Sequence, residues 1–239
     1  MNGINIVGAI VVAVAVAGCD WRATAGIQEQ KASVFQGLPA GWVQSEQPLL
    51  RYQVDTERGR LWVMTLDGVD LYDVETRRKM AHIRLPDWVW VGEPYNCAPD
   101  LALGPKGEAL ISSNVVPTLW RIDPVNLAVS RHELVLDQDT GKDVGFTGLA
   151  YSAEQGAFFA VSALHGSLWR IDPSLSRAQS ITLSAPLPKA CGLAMRSRAP
   201  EQRASRLVGL CVQADRGGWT VDLTPDQRSG HASRQPCAD

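Results

Sequence analysis

A chain of 239 residues with 45% apolar and 20% charged residues has the composition of one globular domain, and it is long enough to bury a continuous core. The formal net charge is -2, and no run of five or more like charges occurs. These values exclude large-scale disorder, and they give no indication of nucleic acid or a strongly anionic surface as a partner.

Residues 4–18 form an uncharged apolar run, INIVGAIVVAVAVAG. The run is shorter than the roughly 20 residues that cross a bilayer as a helix, and its length is typical of the core of a secretory signal peptide. It ends in Val16-Ala17-Gly18-Cys19, which resembles the lipobox of bacterial lipoproteins. The resemblance implies that Cys19 is diacylated and becomes the first residue of the mature protein. An ordinary secretory signal or a short buried helix is the alternative interpretation.

This interpretation divides the chain into a signal peptide (1–18), a polar lipid-anchored tether (19–40) and a folded domain (41–239). It predicts a protein that is attached through its N-terminal lipid to a membrane of the bacterial cell envelope and faces the periplasm. Asp20 resembles the inner-membrane retention signal of some enteric bacteria, whereas the choice between inner and outer membrane stays open.

Four similar hexapeptides follow one another at spacings of 48, 49 and 50 residues. Each has an aromatic residue second and an apolar residue fourth: LYDVET (71–76), LWRIDP (119–124), LWRIDP (168–173) and GWTVDL (218–223). A hairpin pattern of two alternating apolar runs precedes each hexapeptide, and a further run follows the first three, which indicates about four short strands per repeat. Four-stranded repeats of this length are typical of β-propeller blades.

We therefore predict an all-β, propeller-like domain with four recognisable four-stranded blades, preceded by the lipoprotein signal peptide. A single blade leaves apolar side chains on both faces, so blades must stack around an axis. We expect the aromatic residue of each hexapeptide to fill the space between neighbouring blades: Tyr72, Trp120, Trp169 and Trp219. The repeated acids Asp123, Asp172 and Asp222 are predicted to initiate turns, because an Asp side chain bonds nearby backbone N–H groups.

Phrases such as GLAYSAEQGAFFAVS (148–162), followed by LWRID, resemble the YVTN and NHL repeats of bacterial β-propellers. The resemblance covers residues 49 to about 225, and it implies an architecture rather than an activity. Most propellers of this kind have more than four blades. Two arrangements therefore stay open: a small closed propeller to which GWVQS (41–45) supplies a closing strand, or an incomplete ring that a partner completes.

Four cysteines follow Cys19, and an even number in an exported protein favours disulfide bonds. Three pairings are possible among these four: Cys97, Cys191, Cys211 and Cys237. A symmetric hairpin that turns near Glu201 favours a bond between Cys191 and Cys211, which leaves Cys97 for Cys237. Free buried thiols are the alternative.

The segment LPDWVWVGEPYNC (85–97) joins two repeats and contains Trp88, Trp90 and Tyr95. Exposed aromatic residues on such a connection would form a binding anchor for a ligand or a protein partner. Burial between blades also explains Trp88 and Trp90, because strand-like alternation places both on one face. Packing and recognition both stay open for this segment.

The acidic loop LDQDTGKDVG (136–145) places Asp137, Asp139 and Asp143 around Gly141, a spacing that can wrap oxygen ligands around Ca²⁺. The loop departs from the EF-hand pattern, since Gly148 stands where the bidentate acid belongs. A solvated turn is the favoured interpretation, and the sequence indicates no other metal site and no cofactor.

Two functions agree with these features. The favoured one is a non-catalytic binding or scaffold module for a protein or other envelope partner, because no catalytic motif accompanies the anchor and the repeats. The alternative is a propeller hydrolase, lactonase-like or phytase-like, with a metal site at the central channel. Its candidate ligands lie on loops: Glu93, Asn96, Asp100 and Asn114.

Overall fold

The computed structural model describes residues 49–92, 95, 97–187, 189–195, 208–214, 217–224 and 226–234. The predicted signal peptide (1–18), the tether (19–40) and the segment GWVQS (41–45) lie outside these ranges. The described residues form seventeen β-strands, which confirms the all-β prediction. Within the same ranges, no helix has the length and apolar character of a membrane span.

Sixteen of the strands form four antiparallel units of four in chain order. The first unit contains β1 (Leu49–Asp55), β2 (Arg60–Thr65), β3 (Val69–Asp73) and β4 (Lys79–Ile83). The second contains β5 (Leu101–Leu103), β6 (Ala109–Ser112), β7 (Thr118–Ile122) and β8 (Val129–Glu133). After the two-residue β9 (Val135–Leu136), the third contains β10 (Gly148–Ser152), β11 (Ala157–Ser162), β12 (Ser167–Ile171) and β13 (Arg177–Leu183). The fourth contains β14 (Ala190–Met195), β15 (Val208–Ala214), β16 (Gly217–Leu223) and β17 (Ser229–Ser233).

The second strand of the first unit shows why the units must stack. Along β2, successive side chains point to opposite faces of the sheet. Leu61 and Val63 occupy one face, Trp62 and Met64 occupy the other, and all four are 0% exposed. A strand that is buried on both faces needs a layer on each side.

Three apolar cores lie between successive units, and each combines the facing sides of two sheets. The first contains Trp62 and Leu71 of unit 1 with Leu101 and Ile111 of unit 2. The second contains Leu110 and Leu119 of unit 2 with Phe158 and Ile171 of unit 3. The third contains Phe159 and Val161 of unit 3 with Val212 and Val221 of unit 4. Each such side chain contributes about 1.5–3 kcal/mol when it is fully buried, so face-to-face packing holds the units together.

The aromatic residue of each hexapeptide faces the preceding unit. Trp120 lies in the first core, Trp169 lies in the second, and Trp219 packs against the third. The prediction that these residues fill the space between units is confirmed for the three tryptophans. It stays a prediction for Tyr72, which lies on the outer flank of the first unit beside Leu61. Tyr72 has the same orientation as the tryptophans, but no described unit precedes the first.

The first strands of the units lie at the centre, where β1 contacts β5, β5 contacts β10, and β10 contacts β14. The approach of β10 to β14 is close: a Cβ atom on Gly148 would lie 2.7 Å from the carbonyl carbon of Gly192. At the perimeter, β9 pairs in parallel with the start of β13, and the end of β13 pairs in parallel with the start of β17. Units two to four are therefore linked at the edge as well as at the centre.

The turn between the third and fourth strands contains a non-glycine residue with φ between 56° and 59° in every unit: Arg77, Leu127, Leu175 and Gln227. In the second unit, Asp123 Oδ1 accepts from the backbone N–H of Val125 and of Asn126. In the third, Asp172 Oδ1 accepts from two backbone N–H groups of the same turn. The predicted turn role is confirmed for these two acids. Asp222 instead lies inside β16, and Thr224 Oγ1 accepts the Ser229 N–H at 3.3 Å in its place.

Candidate functional site

A buried ion pair, which we call the hub, lies at the centre of the molecule. It consists of Arg51 in β1 and Asp100 directly before β5, and Arg51 Nε lies 3.1 Å from Asp100 Oδ1. Arg51 also donates from Nη2 to the carbonyl oxygen of Cys191 in β14. Asp100 Oδ2 accepts the backbone N–H of Leu149 in β10 at 2.8 Å. The hub therefore bonds to the central region of all four units.

The residues at the hub share one position of the repeat. They begin the phrases RYQV, DLAL, GLAY and GLAM: Arg51, Asp100, Gly148 and Gly192. A Cβ atom on Gly148 would meet Gly192, Val161 and Leu193, so the glycine of the third repeat permits the close approach of the third and fourth units. The sequence interpretation missed Arg51, although an alignment of the four repeats at this position shows the complementary charges.

Burial raises the pKa of Asp100, whereas the charge of Arg51 and the N–H groups of Leu149 and Leu101 act in the opposite direction. Both carboxylate oxygens have partners, since Oδ1 accepts from Arg51 and Leu101, and Oδ2 accepts from Leu149. A cation at this point would have to displace the guanidinium group of Arg51. Asp100 is thus occupied in holding the centre together.

Asn114 holds the segment that joins the first and second units. Its Nδ2 group donates to the carbonyl oxygens of Val91 at 2.6 Å, Tyr95 at 3.3 Å and Cys97 at 3.2 Å. Asn114 is buried, so these bonds replace the hydrogen bonds that it would make with water. Of the other channel candidates, Glu93 and Asn96 lie outside the described residues. The structure gives both described candidates, Asn114 and Asp100, a structural role.

The two tryptophans of this segment are explained by packing. Trp88 lies in the first core, and its Nε1–H donates to the carbonyl oxygen of Ser112 at 3.0 Å. Trp90 is half-buried against the same core. Its Nε1–H is buried and has no hydrogen-bond partner in the described structure. Both rings therefore pack on the first core, Trp88 fully and Trp90 in part.

Tyr95 belongs to a row of polar contacts at the surface. Its hydroxyl group donates to Asp143 Oδ2 at 2.7 Å, and this hydrogen bond is the main reason that the pKa of Tyr95 is raised. His165 Nε2 donates to the carbonyl oxygen of Asp143 at 2.8 Å, because a carbonyl oxygen can only accept. The row connects both inter-unit segments with a turn of the third unit.

Three large apolar side chains are exposed on the first inter-unit segment and on turns of the second and third units: Val89 at 65%, Val116 at 42% and Leu164 at 47%. We use the name connector face for these residues together with Trp90, Tyr95 and Asp143. Exposed apolar groups bordered by polar ones are typical of a protein interaction surface. The sequence interpretation found Trp90 and Tyr95 but missed Val116 and Leu164, because nothing in the sequence distinguishes an exposed turn valine from a buried one.

The acids of the loop 136–145 have partners within the protein. Asp137 Oδ1 accepts the backbone N–H of Ser180 at 2.8 Å, and Asp139 Oδ1 pairs with Lys142 Nζ at 2.6 Å. Asp143 is bonded to Tyr95. In the part of the chain that the structure describes, no group of three or more acidic, histidine or cysteine side chains is arranged to hold a metal ion. Asp139 thus pairs within the loop, whereas Asp137 and Asp143 bond to other parts of the protein.

Cys97 and Cys191 form a disulfide bond, which corrects the predicted pairing of Cys191 with Cys211. The physical reason is the register of the last hairpin. Cys211 lies opposite Ala194, and the register shifts between Ala190 and Gly192, so Cys191 has no cross-strand position facing Cys211. Cys211 is also disulfide-bonded, while Cys19 and Cys237 lie outside the described residues.

No protein-family model matches the chain, and no curated protein matches its sequence. Solved structures do match. Virginiamycin B lyase from Staphylococcus aureus is similar with a TM-score of 0.57 and 12% identity, over 81% of this chain and 57% of that one. A putative gluconolactonase gives a TM-score of 0.52 and 13% identity, over 82% and 67%. An auxiliary nutrient binding protein from Bacteroides thetaiotaomicron gives 0.52 and 9%, over 80% and 43%.

The chain thus spans little more than half the length of the lyase. At these identities the similarity shows the fold alone, and the names include enzymes as well as a binding protein. The fold does not choose between catalysis and binding. The stacked four-stranded units and the structural neighbours together identify this chain as a β-propeller-like protein.

Proposed function

We propose that this protein is a lipid-anchored binding or scaffold module of the bacterial envelope, and that it holds its partner at the connector face. The observation that carries the proposal is the exposure of Val89, Val116 and Leu164 on adjoining segments. Exposed apolar groups gain free energy when a partner removes them from water, by about 25 cal/mol per Å². The bond between Tyr95 and Asp143 beside them offers polar groups that can orient that partner.

Three contacts attach the described residues of the first inter-unit segment to the rest of the protein. Asn114 fixes the backbone of the first inter-unit segment, Trp88 anchors it in the core, and the disulfide at Cys97 ties it to the fourth unit. A surface that is ordered before binding loses little conformational entropy when the partner arrives. This support favours a stable recognition surface over a loop that orders only on binding.

The hub supports a partner at the surface rather than in an axial channel. Arg51 and Asp100 use their polar atoms on each other and on backbone groups of the units around them. A ligand on the axis would have to break these buried bonds. The connector face requires no such rearrangement.

The envelope location rests on the resemblance of Val16-Ala17-Gly18-Cys19 to the lipobox. Replacing Cys19 with alanine should abolish labelling of the protein by radioactive palmitate and release it from membranes. Retention of the variant in the membrane fraction would show that another feature attaches the protein.

The partner surface can be tested by photo-cross-linking in intact cells. Para-benzoylphenylalanine placed at Val116 or at Leu164 should give a discrete adduct with one envelope component. Val125 is the matched control, because it is 88% exposed but lies in the turn between β7 and β8, outside the connector face. Adducts of equal yield and identity at all three positions would refute the connector face as the binding surface.

A further inference from the structure

The outer flank of the first unit is apolar and buried, although no described unit precedes it. Leu61 and Val63 are 0% exposed and Tyr72 is 4% exposed. Among the described residues, the apolar side chains of this cluster all belong to the first unit. Side chains on one face of a sheet cannot remove one another completely from water, because a sheet face needs a second layer. Another part of the chain must therefore supply that layer.

The outer flank of the fourth unit does not have the residues to supply it. The residue before each hexapeptide aromatic faces the following unit in the first three repeats: Leu71, Leu119 and Leu168. The fourth repeat has Gly218 at this position. On the same flank, Thr220 Oγ1 bonds to Ser233 Oγ at 3.0 Å, and Ala194 is exposed. Thr220 and Cys211 of this flank are 3% and 8% exposed, so the flank is partly covered, but it offers no large apolar side chains to the first unit.

The parts of the chain outside the described ranges differ strongly in composition. Residues 1–18 are apolar, but residues 19–48 separate them from β1. Residues 196–207 contain four arginines, and residues 19–32 and 235–239 are largely polar. Residues 33–48 (SVFQGLPAGWVQSEQP) contain five large apolar side chains: Val34, Phe35, Leu38, Trp42 and Val43. This segment also ends where β1 begins, and Leu49 of β1 packs against the buried flank cluster.

We propose that residues 33–48 cover the outer flank of the first unit and occupy the place of a preceding blade. The orientation of the repeats supports this assignment, since the aromatic residue of every later hexapeptide packs on the element that comes before it in the chain. Tyr72 has the same orientation, and residues 33–48 are the part of the chain that comes directly before its unit. The segment GWVQS then serves to cover a sheet face at the start of the ring.

The polar margin of the flank agrees with a covered surface. Asp70 is 2% exposed, and its Oδ1 lies 2.7 Å from Lys79 Nζ and 2.7 Å from His82 Nδ1. Burial, followed by the charge of Asp70, raises the pKa of Tyr72 to about 12. A carboxylate on the face of a sheet needs charged partners such as Lys79 and His82 only where water is excluded.

A photo-cross-linker identifies the covering segment directly. Para-benzoylphenylalanine at Tyr72 in the full-length chain should react with residues 33–48. After digestion with trypsin, peptide 61–77 should therefore be recovered cross-linked to peptide 32–51. The monomer band is excised before digestion, so that a second copy is excluded. An adduct with a peptide of the fourth unit, or with residues 196–207, would overturn the proposal.

A second measurement applies even where that variant does not fold. Trp42→Ala in the full-length chain should lower the melting temperature by at least about 4 °C, whereas Trp21→Ala, in the polar tether, should leave it unchanged. The losses of Trp42→Ala and Val63→Ala should not add, because residues in contact couple. Additive losses, or equal effects of Trp42→Ala and Trp21→Ala, would contradict the assignment. Neither readout depends on a partner or on lipid, so both are independent of the proposed function.

Discussion

Arg51 and Asp100 lie one repeat apart in the chain, and their side chains meet at 3.1 Å in the buried centre. Through the carbonyl oxygen of Cys191 and the N–H of Leu149, the same two side chains also bond to the third and fourth units. Apolar packing joins the faces of neighbouring units, parallel strand pairs link units two to four at the perimeter, and a disulfide links the second unit to the fourth. The ion pair therefore supplies directional bonds at the centre, where the first strands of all four units meet.

Replacing Asp100 with asparagine should lower the free energy of unfolding by about 3–5 kcal/mol, because Arg51 then stays buried without a counter-charge. Urea denaturation followed by tryptophan fluorescence measures the loss. The control is Arg51→Met/Asp100→Asn, which removes both charges and should be more stable than Asp100→Asn alone. A single variant as stable as the wild-type protein would show that the hub is not needed.

Loss of the disulfide should destabilise the protein by the same amount whichever of its two cysteines is replaced. Cys97→Ser and Cys191→Ser should each lower the free energy of unfolding by about 4 kcal/mol, because the bond closes a long loop. The double variant should lose no more than either single one. A peptide map without reductant should recover Cys97 joined to Cys191, and recovery of Cys191 joined to Cys211 would contradict the structure.

Acid should weaken the turns between third and fourth strands. Asp73 accepts the backbone N–H of Thr76, and Asp123 accepts that of Asn126. These hydrogen bonds are the largest cause that lowers the pKa of each carboxyl group below its usual value. A lowered pKa adds stability above the unfolded value of about 3.9, and this stability is lost as the pH falls through the folded value. The urea midpoint should therefore decrease below about pH 4. Asp73→Asn/Asp123→Asn should flatten that decrease, whereas Glu154→Gln, an exposed acid in another turn, should not.

The tryptophans of the hexapeptides should differ in importance according to their burial. Trp169 is 0% exposed and packs edge to face on Phe146, with ring centroids 6.4 Å apart. Trp169→Ala should cost about 3–5 kcal/mol, as large-to-small changes in a core do. Trp219 is only partly buried, so Trp219→Ala should cost less. Chemical denaturation of the two variants compares them, and a reversed order would mean that the third core depends more on its tryptophan than the second.

The repeat architecture could be predicted because its signal is local and occurs four times. The hexapeptides place Trp120 and Trp169 at the same strand position, and both residues fill an inter-unit core. Tyr72 could not be assigned in this way, because its environment depends on what precedes the first repeat. The turn roles of Asp123 and Asp172 were predictable because an Asp side chain before a proline commonly accepts backbone N–H groups of the turn that it begins.

The disulfide pairing could not be read from cysteine spacing. A shift of register near Gly192 and the uneven length of the last hairpin place Cys211 opposite Ala194. Cys97 reaches Cys191 only because the centre of the molecule brings the second and fourth units together, over a sequence separation of 94. Contacts of this range depend on how the four units pack together.

The connector face was predictable only in part. Trp88, Trp90 and Tyr95 stand out as aromatic residues on a connection, but their division into packed and exposed groups depends on where Asn114 and Ser112 hold the backbone. The exposure of Val116 and Leu164 follows from the shape of two turns, on which the sequence carries no local signal.

The parallel pairing at the perimeter determines how a mechanical load passes through the ring. A force that enters at Leu49 acts on β1, which is an innermost strand, and pulls it away from β2 and from the hub. Parallel pairing of β9 with β13 and of β13 with β17 links the outer edges of units two to four, so a load on one of these units is distributed over all three. Among the described residues, β4 has no pairing of this kind with another unit. Mechanical unfolding from the N-terminal end therefore begins with the first unit, and a larger force is needed to detach the second.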